Sequence, residues 1–192
     1  SPSPSPSHEP ASAVARVALF EDADPWGYTA IKDQLSGNGI PYTIYTSSNM
    51  GKVDLTPYTK VITASVQSNT FWNALAGNKT WFESYVNKGG VLEMHLCAYS
   101  SSNAWGKVFP GGFVTALGIT NTVSIMDPTH PVVRMPSIIT DPELDNWSFS
   151  AHGNFSTIPA GAKVVLTATE SGKPVWVEAK LGKGSILATT QT

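Results

Sequence analysis

The sequence is short of three things: cysteine, charge and long apolar runs. Its one cysteine, Cys97, excludes an internal disulfide and a zinc site built from three or four thiolates. Charged residues make up 14% of the 192 residues where about 25% is usual. The formal net charge of -2 gives no basic field for phosphates, so we expect no nucleic-acid partner. No apolar run reaches the roughly 20 residues that cross a bilayer, so we expect no membrane insertion.

Ser, Thr and Asn stand where a cytosolic surface would use Lys and Glu, and this favours an extracellular setting, secreted or at the cell surface. Residues 1–10 read SPSPSPSHEP, which predicts an extended polyproline-like segment. Such tracts join the modules of secreted multidomain proteins, so we expect that a preceding module or signal has been removed. We therefore predict a Pro/Ser-rich linker or tail over residues 1–12 and a single domain over residues 13–192.

Strands alternate with helices through the first half of the chain. Apolar runs at residues 14–20, 60–64 and 91–96 predict buried central strands, and alternation at residues 41–46 predicts another. Helical spacing of Tyr28, Ile31 and Leu35 predicts a helix after the first strand, and a further helix precedes Gly89-Gly90. This order predicts an α/β fold with a parallel sheet and right-handed crossovers.

The second half has a weak helical signal and is rich in β-type residues. Residues 100–112 are predicted to form a long loop, and residues 163–169, 174–181 and 185–190 are predicted to be strands. The last two are predicted to form a hairpin at one side of the sheet.

Four stretches resemble the class I glutamine amidotransferase-like superfamily, which includes the DJ-1/PfpI and ThuA-like proteins. They are residues 17–24, 53–58, 89–97 and 127–132; the closing residues 174–189 are similar to the ThuA-like branch. The resemblance implies a flavodoxin-like three-layer sandwich with a mainly parallel central sheet and a β-rich C-terminal end.

The resemblance places Cys97 where that superfamily puts a nucleophile, on a tight turn after a strand. Small flanking residues let the sulfur project over backbone N–H groups there, which lower its pKa. In this chain His95-Leu96 precede the cysteine and Ala98-Tyr99 follow it, so the Gly-x-Cys-x-Gly pattern is absent, and so is a His-x-Glu signature near the C-terminus. We favour a structural thiol, because free cysteine is among the most buried residue types.

Three histidines are candidate general bases for Cys97. His95 lies two residues before it, so a regular strand would turn both side chains to one face. His130 occupies a recurring position of the ThuA-like branch, and His152 lies in a Ser-rich segment. A hydrogen-bonded structural role is the alternative for each of them.

Carboxylates and aromatic residues in the predicted loops are candidate ligand-binding groups, because the carboxyl ends of parallel strands form the usual crevice. The candidate binding residues are Glu21, Asp22, Asp24, Trp26, Tyr99, Trp105 and Trp147. The three acids lack the spacing of a calcium loop, so we predict no metal site, and we predict no cofactor.

Three functions follow. The first is a non-catalytic binding or accessory module of a secreted multidomain protein, whose ligand is a neutral glycan. The second is a cysteine-dependent hydrolase or amidase, with Cys97 as nucleophile and Glu21 or Asp24 orienting the base. The third is a structural extracellular subunit whose Pro/Ser tail docks on a neighbouring subunit.

Overall fold

The computed structural model describes residues 15–145 and 148–192. Within these ranges the strands are β1 (Val17–Phe20), β2 (Tyr42–Tyr45), β3 (Lys60–Thr63), β4 (Val91–His95), β5 (Val108–Phe109), β6 (Phe113–Thr120), β7 (Val123–Ile125), β8 (Ala151–Thr157), β9 (Lys163–Ala168), β10 (Pro174–Leu181) and β11 (Gly184–Thr189). The helices are α1 (Ala30–Gly37), α2 (Asn69–Gly77), α3 (Lys79–Asn87) and α4 (Asp141–Leu144). The predicted linker, residues 1–12, lies outside the described residues.

The main sheet has eight strands in the order β2-β1-β3-β4-β11-β10-β9-β7. The first five run parallel, and β10, β9 and β7 are joined by antiparallel pairing. The predicted mainly parallel α/β sheet with a β-rich C-terminal end is therefore confirmed. β1, β3 and β4 lie inside it, as the three apolar runs predict. β10 and β11 form the predicted hairpin, but its predicted place at one side of the sheet is wrong, because β9 and β7 continue the sheet beyond β10.

The two faces of β1 contact different helices. Leu19 packs in a cluster with Leu35 of α1, whereas Phe20 packs against Phe82 of α3, with ring centroids 5.6 Å apart. Both β1 side chains are fully buried, which stabilises the fold by roughly 1.5–3 kcal/mol for each. This two-sided burial explains why the strand is apolar throughout.

The Gly89-Gly90 pair separates α3 from β4 for two reasons. Gly89 has φ +113, a conformation that side chains rarely adopt. A Cβ on Gly90 would lie 2.2 Å from Cζ of Tyr85, so only glycine lets the chain pass that ring. The helix ends at Asn87 and the strand begins at Val91, as the sequence predicts.

A second sheet, in the order β5-β6-β8, was not predicted. Part of it lies in residues 100–112, which were expected to form a loop throughout. Phe113 and Phe155 of this sheet, with ring centroids 5.3 Å apart, join the same core cluster as Phe20 and Trp72. The second sheet thus covers one face of the main sheet.

β8 reaches the edge of the main sheet where β4 and β11 end. The backbone N–H of His152 donates to the carbonyl of Thr190 (3.0 Å), and the hydroxyl of Thr190 donates to the carbonyl of Gly153 (2.9 Å). Ala151 also forms an antiparallel bridge with Gln191. The start of β8 therefore lies over the carboxyl edge of the parallel strands.

Candidate functional site

Cys97 follows β4 at this carboxyl edge, as predicted, and it is fully buried. Burial raises the pKa of its thiol from 9.0 to about 12, against a smaller opposing effect of a backbone hydrogen bond from His152. A nucleophilic cysteine needs the reverse shift, because only the thiolate attacks. The surroundings therefore keep Cys97 as a neutral thiol.

The three candidate bases are engaged elsewhere. His95 Nε2 lies 2.8 Å from Glu93 Oε1, so the expected approach of His95 to Cys97 is not formed. Although burial raises the pKa of Glu93, its hydrogen bonds and charge interactions with His95 and Lys60 lower it to about 2. The side chain of His95 thus forms a polar cluster with Glu93 and Lys60 on the main sheet.

His130 is held between two partners. Its Nδ1 accepts a hydrogen bond from the backbone N–H of Val132 (3.2 Å), so Nε2 carries the proton and donates to Glu178 Oε2 (2.7 Å). The ring also packs against Trp176 at 5.2 Å between centroids. The contacts of His130 with Glu178 and Trp176 hold the segment around residue 130 against β10, so the role of His130 is structural.

The predicted binding acids mostly hold the loop after β1 in place. The carboxylate of Asp22 accepts the backbone N–H and the hydroxyl of Ser47, both at 2.7 Å. Lys32 contacts both Glu21, at 2.8 Å, and Asp24. Burial raises the pKa of Glu21, whereas the hydrogen bond from Lys32 lowers the pKa of Asp24. Among the described residues, no group of three or more His, Cys, Asp and Glu side chains is arranged to hold a metal ion.

Gln67, which sequence reasoning missed, fixes the same loop to the end of β3. Its Oε1 accepts the backbone N–H groups of Asp22 (2.8 Å) and Ala23 (3.1 Å). Its Nε2 donates to the carbonyls of Ala23 and Ser65, both at 2.7 Å. All of these bonds are made by a buried side chain, so the loop is rigidly placed. In the sequence Gln67 stands in a polar run, Ser-Val-Gln-Ser-Asn-Thr, after a buried strand, and nothing distinguishes it there from its neighbours.

Four rings near Cys97 pack together, three of them exposed and one half-buried. We call them the aromatic cluster: the exposed Trp26, Tyr99 and Phe149, and the half-buried His152. Trp26 meets Tyr99 at 4.9 Å and His152 at 5.1 Å between centroids, and Phe149 meets His152 at 5.5 Å, all close to edge-to-face. Trp26 is 36% exposed, Tyr99 53% and Phe149 46%, so the rings are packed on one another yet open to solvent. Burial lowers the pKa of His152, which favours its neutral ring.

Trp26 is held in a strained conformation. Its φ is +54, in the left-handed region, inside the turn Pro25–Gly27. Such a conformation costs about 1–3 kcal/mol for a residue with a side chain, and it is found preferentially at binding and catalytic sites. The strain is compensated by the contacts of the loop with Gln67 and Lys32.

The remaining predicted aromatic residues differ in placement. Trp105 donates from Nε1 to the carbonyls of Tyr99 and Ser100, both at 3.2 Å. These bonds stabilise the backbone at Tyr99, a member of the aromatic cluster. A Cβ on Gly153 would lie 2.5 Å from its ring, so β8 passes directly over it. Trp147 lies outside the described residues. Phe149 and His152 were not predicted as binding residues, because their arrival at this edge depends on β8.

Comparisons with known proteins bear mainly on the fold. No family model matches the chain. It is 24% identical over 181 residues to an uncharacterized protein of Clostridium acetobutylicum, covering 92% of this chain and 18% of that protein. The chain therefore spans about a fifth of the length of this curated relative.

Two solved structures share the fold at low identity. A glutamine amidotransferase of Thermotoga maritima has a TM-score of 0.60 and 10% identity, over 93% of this chain and 76% of that one. A cold-adapted β-galactosidase of Rahnella sp. R3 has a TM-score of 0.57 and 15% identity, over 93% of this chain and 29% of that one. The chain thus has a glutamine amidotransferase-like fold. In the described part of the chain, none of the helices combines the length and apolarity needed to cross a membrane.

Proposed function

We propose that this protein is a non-catalytic binding module of a secreted multidomain protein, which holds a neutral glycan on the aromatic cluster. The observation on which this rests is the set of four packed rings, three of them exposed, at the carboxyl edge of the sheet. Flat aromatic faces beside carboxylates suit sugars, which present apolar ring faces and hydroxyl groups.

The state of Cys97 supports binding rather than catalysis. Its thiol is buried, its pKa is raised to about 12, and none of the described side chains serves it as a base. A hydrolase at this position would need the thiolate and a proton acceptor. We therefore propose that the protein is a divergent, non-catalytic member of the class I glutamine amidotransferase-like superfamily, with a flavodoxin-like three-layer arrangement.

The comparisons are compatible with a module in a larger protein. The Clostridium relative is more than five times longer than the matched region, and the β-galactosidase carries a similar fold within a much longer chain. The Pro/Ser-rich residues 1–12 suit a linker between such modules. An extracellular location remains a proposal from composition.

A glycan array followed by tryptophan-fluorescence titration tests this function. Replacing Trp26 or Tyr99 by Ala should weaken glycan binding by about 1–3 kcal/mol, which is about 5- to 150-fold in Kd. Tyr28→Ala is the matched control, since Tyr28 is an exposed aromatic residue on the same loop but takes no part in the aromatic cluster. Absence of binding to any neutral glycan, or binding that both cluster variants retain, would refute the proposal.

A further inference from the structure

A cavity of about 420 Å³ is lined in part by Gly153, the residue that follows His152 of the aromatic cluster. It is lined by residues 117–121 of β6 and the following turn, by Gly153 and Asn154 of β8, and by Ala168, Glu170, Ser171 and Lys173 around the turn after β9. β10 is antiparallel to both β9 and β11, so β9 and β11 run in the same direction. β4 is parallel to β11 and therefore runs in that direction too. The turn after β9 therefore lies at the same edge of the sheet as the aromatic cluster.

The cavity is shaped by a β-bulge. Ala116 pairs with Asn154 and Ile119 pairs with His152, so Leu117 and Gly118 together stand opposite one residue of β8. A Cβ on Gly118 would lie 2.4 Å from Nδ2 of Asn154. The Asn154 amide thus occupies space that a side chain at position 118 would fill.

The Asn154 amide is the unusual feature of the cavity. Asn154 is 7% exposed, and its Oδ1 is buried with no hydrogen-bond partner among the described residues. A buried acceptor without a donor costs about 1–3 kcal/mol. If the amide turned toward the cavity, a ligand hydroxyl donating to this oxygen would recover that cost.

The other lining groups indicate the chemistry of the ligand. Both oxygens of Glu170 accept from threonine hydroxyls, those of Thr120 and Thr122. Lys173 has no carboxylate within ion-pair distance in the described part of the chain. One carboxylate, one ammonium and one amide leave the lining without net charge, so its charges favour neither an anion nor a cation. Hydroxyl groups, which both donate and accept, suit this mixed set.

We infer that this cavity is a polar subsite that binds one residue of the glycan held by the aromatic cluster. The inference rests on the proposed function and adds the position of a second contact. His152 and Asn154 are two residues apart on β8, which places their Cα atoms about 7 Å from each other on either side of Gly153, a lining residue of the cavity. Leu117 and Ile119, 52% and 50% exposed, offer an apolar rim at the mouth of the cavity. A sugar chain stacked on the rings can therefore continue into it.

NMR of protein labelled at the Leu and Ile methyl groups reports on the cavity directly. Methyl glycosides of glucose, galactose and mannose are the probes, with glycine and inorganic phosphate as charged comparators. We expect at least one methyl glycoside to shift the Leu117 and Ile119 methyl signals in a saturable way. Asn154→Leu, which keeps the size and removes the amide, should weaken this binding at least tenfold without lowering Tm.

Ser156→Ala is the matched control, because Ser156 is the next outward residue of β8 and is exposed. Gly118→Ala is a second variant that displaces the amide while keeping it, so it should weaken binding even if Asn154→Leu folds poorly. No methyl shift with any glycoside, or equal shifts in both variants, would overturn the inference and leave water as the partner of Asn154. Shifts with only glycine or phosphate would also overturn it.

The two proposals fail separately. If the Trp26 indole N–H signal responds to an oligosaccharide while the Leu117 and Ile119 methyl signals do not, the subsite is wrong and the proposed function stands. If methyl glycosides bind at the cavity but Trp26→Ala leaves oligosaccharide affinity unchanged, the aromatic cluster is not the glycan surface.

Discussion

The reactivity of Cys97 gives the sharpest separation of a binding module from a cysteine hydrolase. At a pH below both values, the thiolate fraction falls tenfold for each unit by which a pKa rises. The rise from 9.0 to about 12 therefore lowers the thiolate fraction about 10³-fold relative to a free thiol. The buried position of the sulfur excludes reagents as well, so we expect native Cys97 to react at least 10³ times more slowly than a cysteine model.

The assay is the rate of labelling by iodoacetamide at pH 7.5, followed by intact mass. The chain has one cysteine, so a single mass addition reports on this site alone. Protein unfolded in guanidinium chloride is the positive control and should react at the rate of free cysteine. A native rate within tenfold of the model compound would refute the buried, neutral thiol and restore the hydrolase hypothesis.

Four further predictions follow from the contacts above. Thr190→Val removes the hydrogen bond to Gly153, so labelling of Cys97 should accelerate and glycan affinity should fall together, while an exposed control such as Ser156→Ala should change neither. Gln67→Ala leaves the backbone groups of residues 22, 23 and 65 without partners and should lower the free energy of unfolding by at least about 2 kcal/mol, measured by denaturant titration. Because the pKa of Glu93 is lowered to about 2, its contribution to the free energy of unfolding is present above about pH 4.5 and is lost as the pH falls toward 2. Glu93→Gln should flatten the plot of unfolding free energy against pH in that window. An unchanged slope would contradict the lowered pKa of Glu93. Deleting residues 1–10 should leave Tm nearly unchanged, and loss of an oligomer in the same variant, seen by light scattering, would favour the structural-subunit hypothesis over a plain linker.

The centre of the main sheet was predictable because β1 and β3 are largely buried on both faces and β4 is buried on one. β1, β3 and β4 read as apolar runs, and Gly89-Gly90 marks the boundary between helix and strand. The second sheet was not predictable for the opposite reason. β6 contains a bulge with glycine, and β8 reads Ala-His-Gly-Asn-Phe-Ser-Thr, in which small and polar residues interrupt any alternation. Their pairing joins residues more than 30 positions apart, which local patterns do not record.

The same limit applies to the candidate site. Trp26 and Tyr99 were predicted to share one edge, because both follow parallel strands, and the structure brings their rings to 4.9 Å. His152 was predicted as a base for Cys97, yet its ring lies among the aromatic residues while its backbone covers the thiol. Long-range contacts determine that position: the hydrogen bonds to Thr190 and the pairing of β8 with β6.

The burial of Cys97 and the presence of the aromatic cluster have one structural origin. β8 is fixed over the carboxyl edge by Thr190, so its backbone closes the space above the sulfur, where a substrate carbonyl would have to approach a nucleophile. The same strand then presents His152 outward, where Trp26 and Phe149 pack on it. Opening the space above the thiol would require moving β8, and this would separate the rings. In this fold, reactivity at Cys97 and a packed aromatic surface above it are therefore alternatives, and the contacts of β8 select the surface.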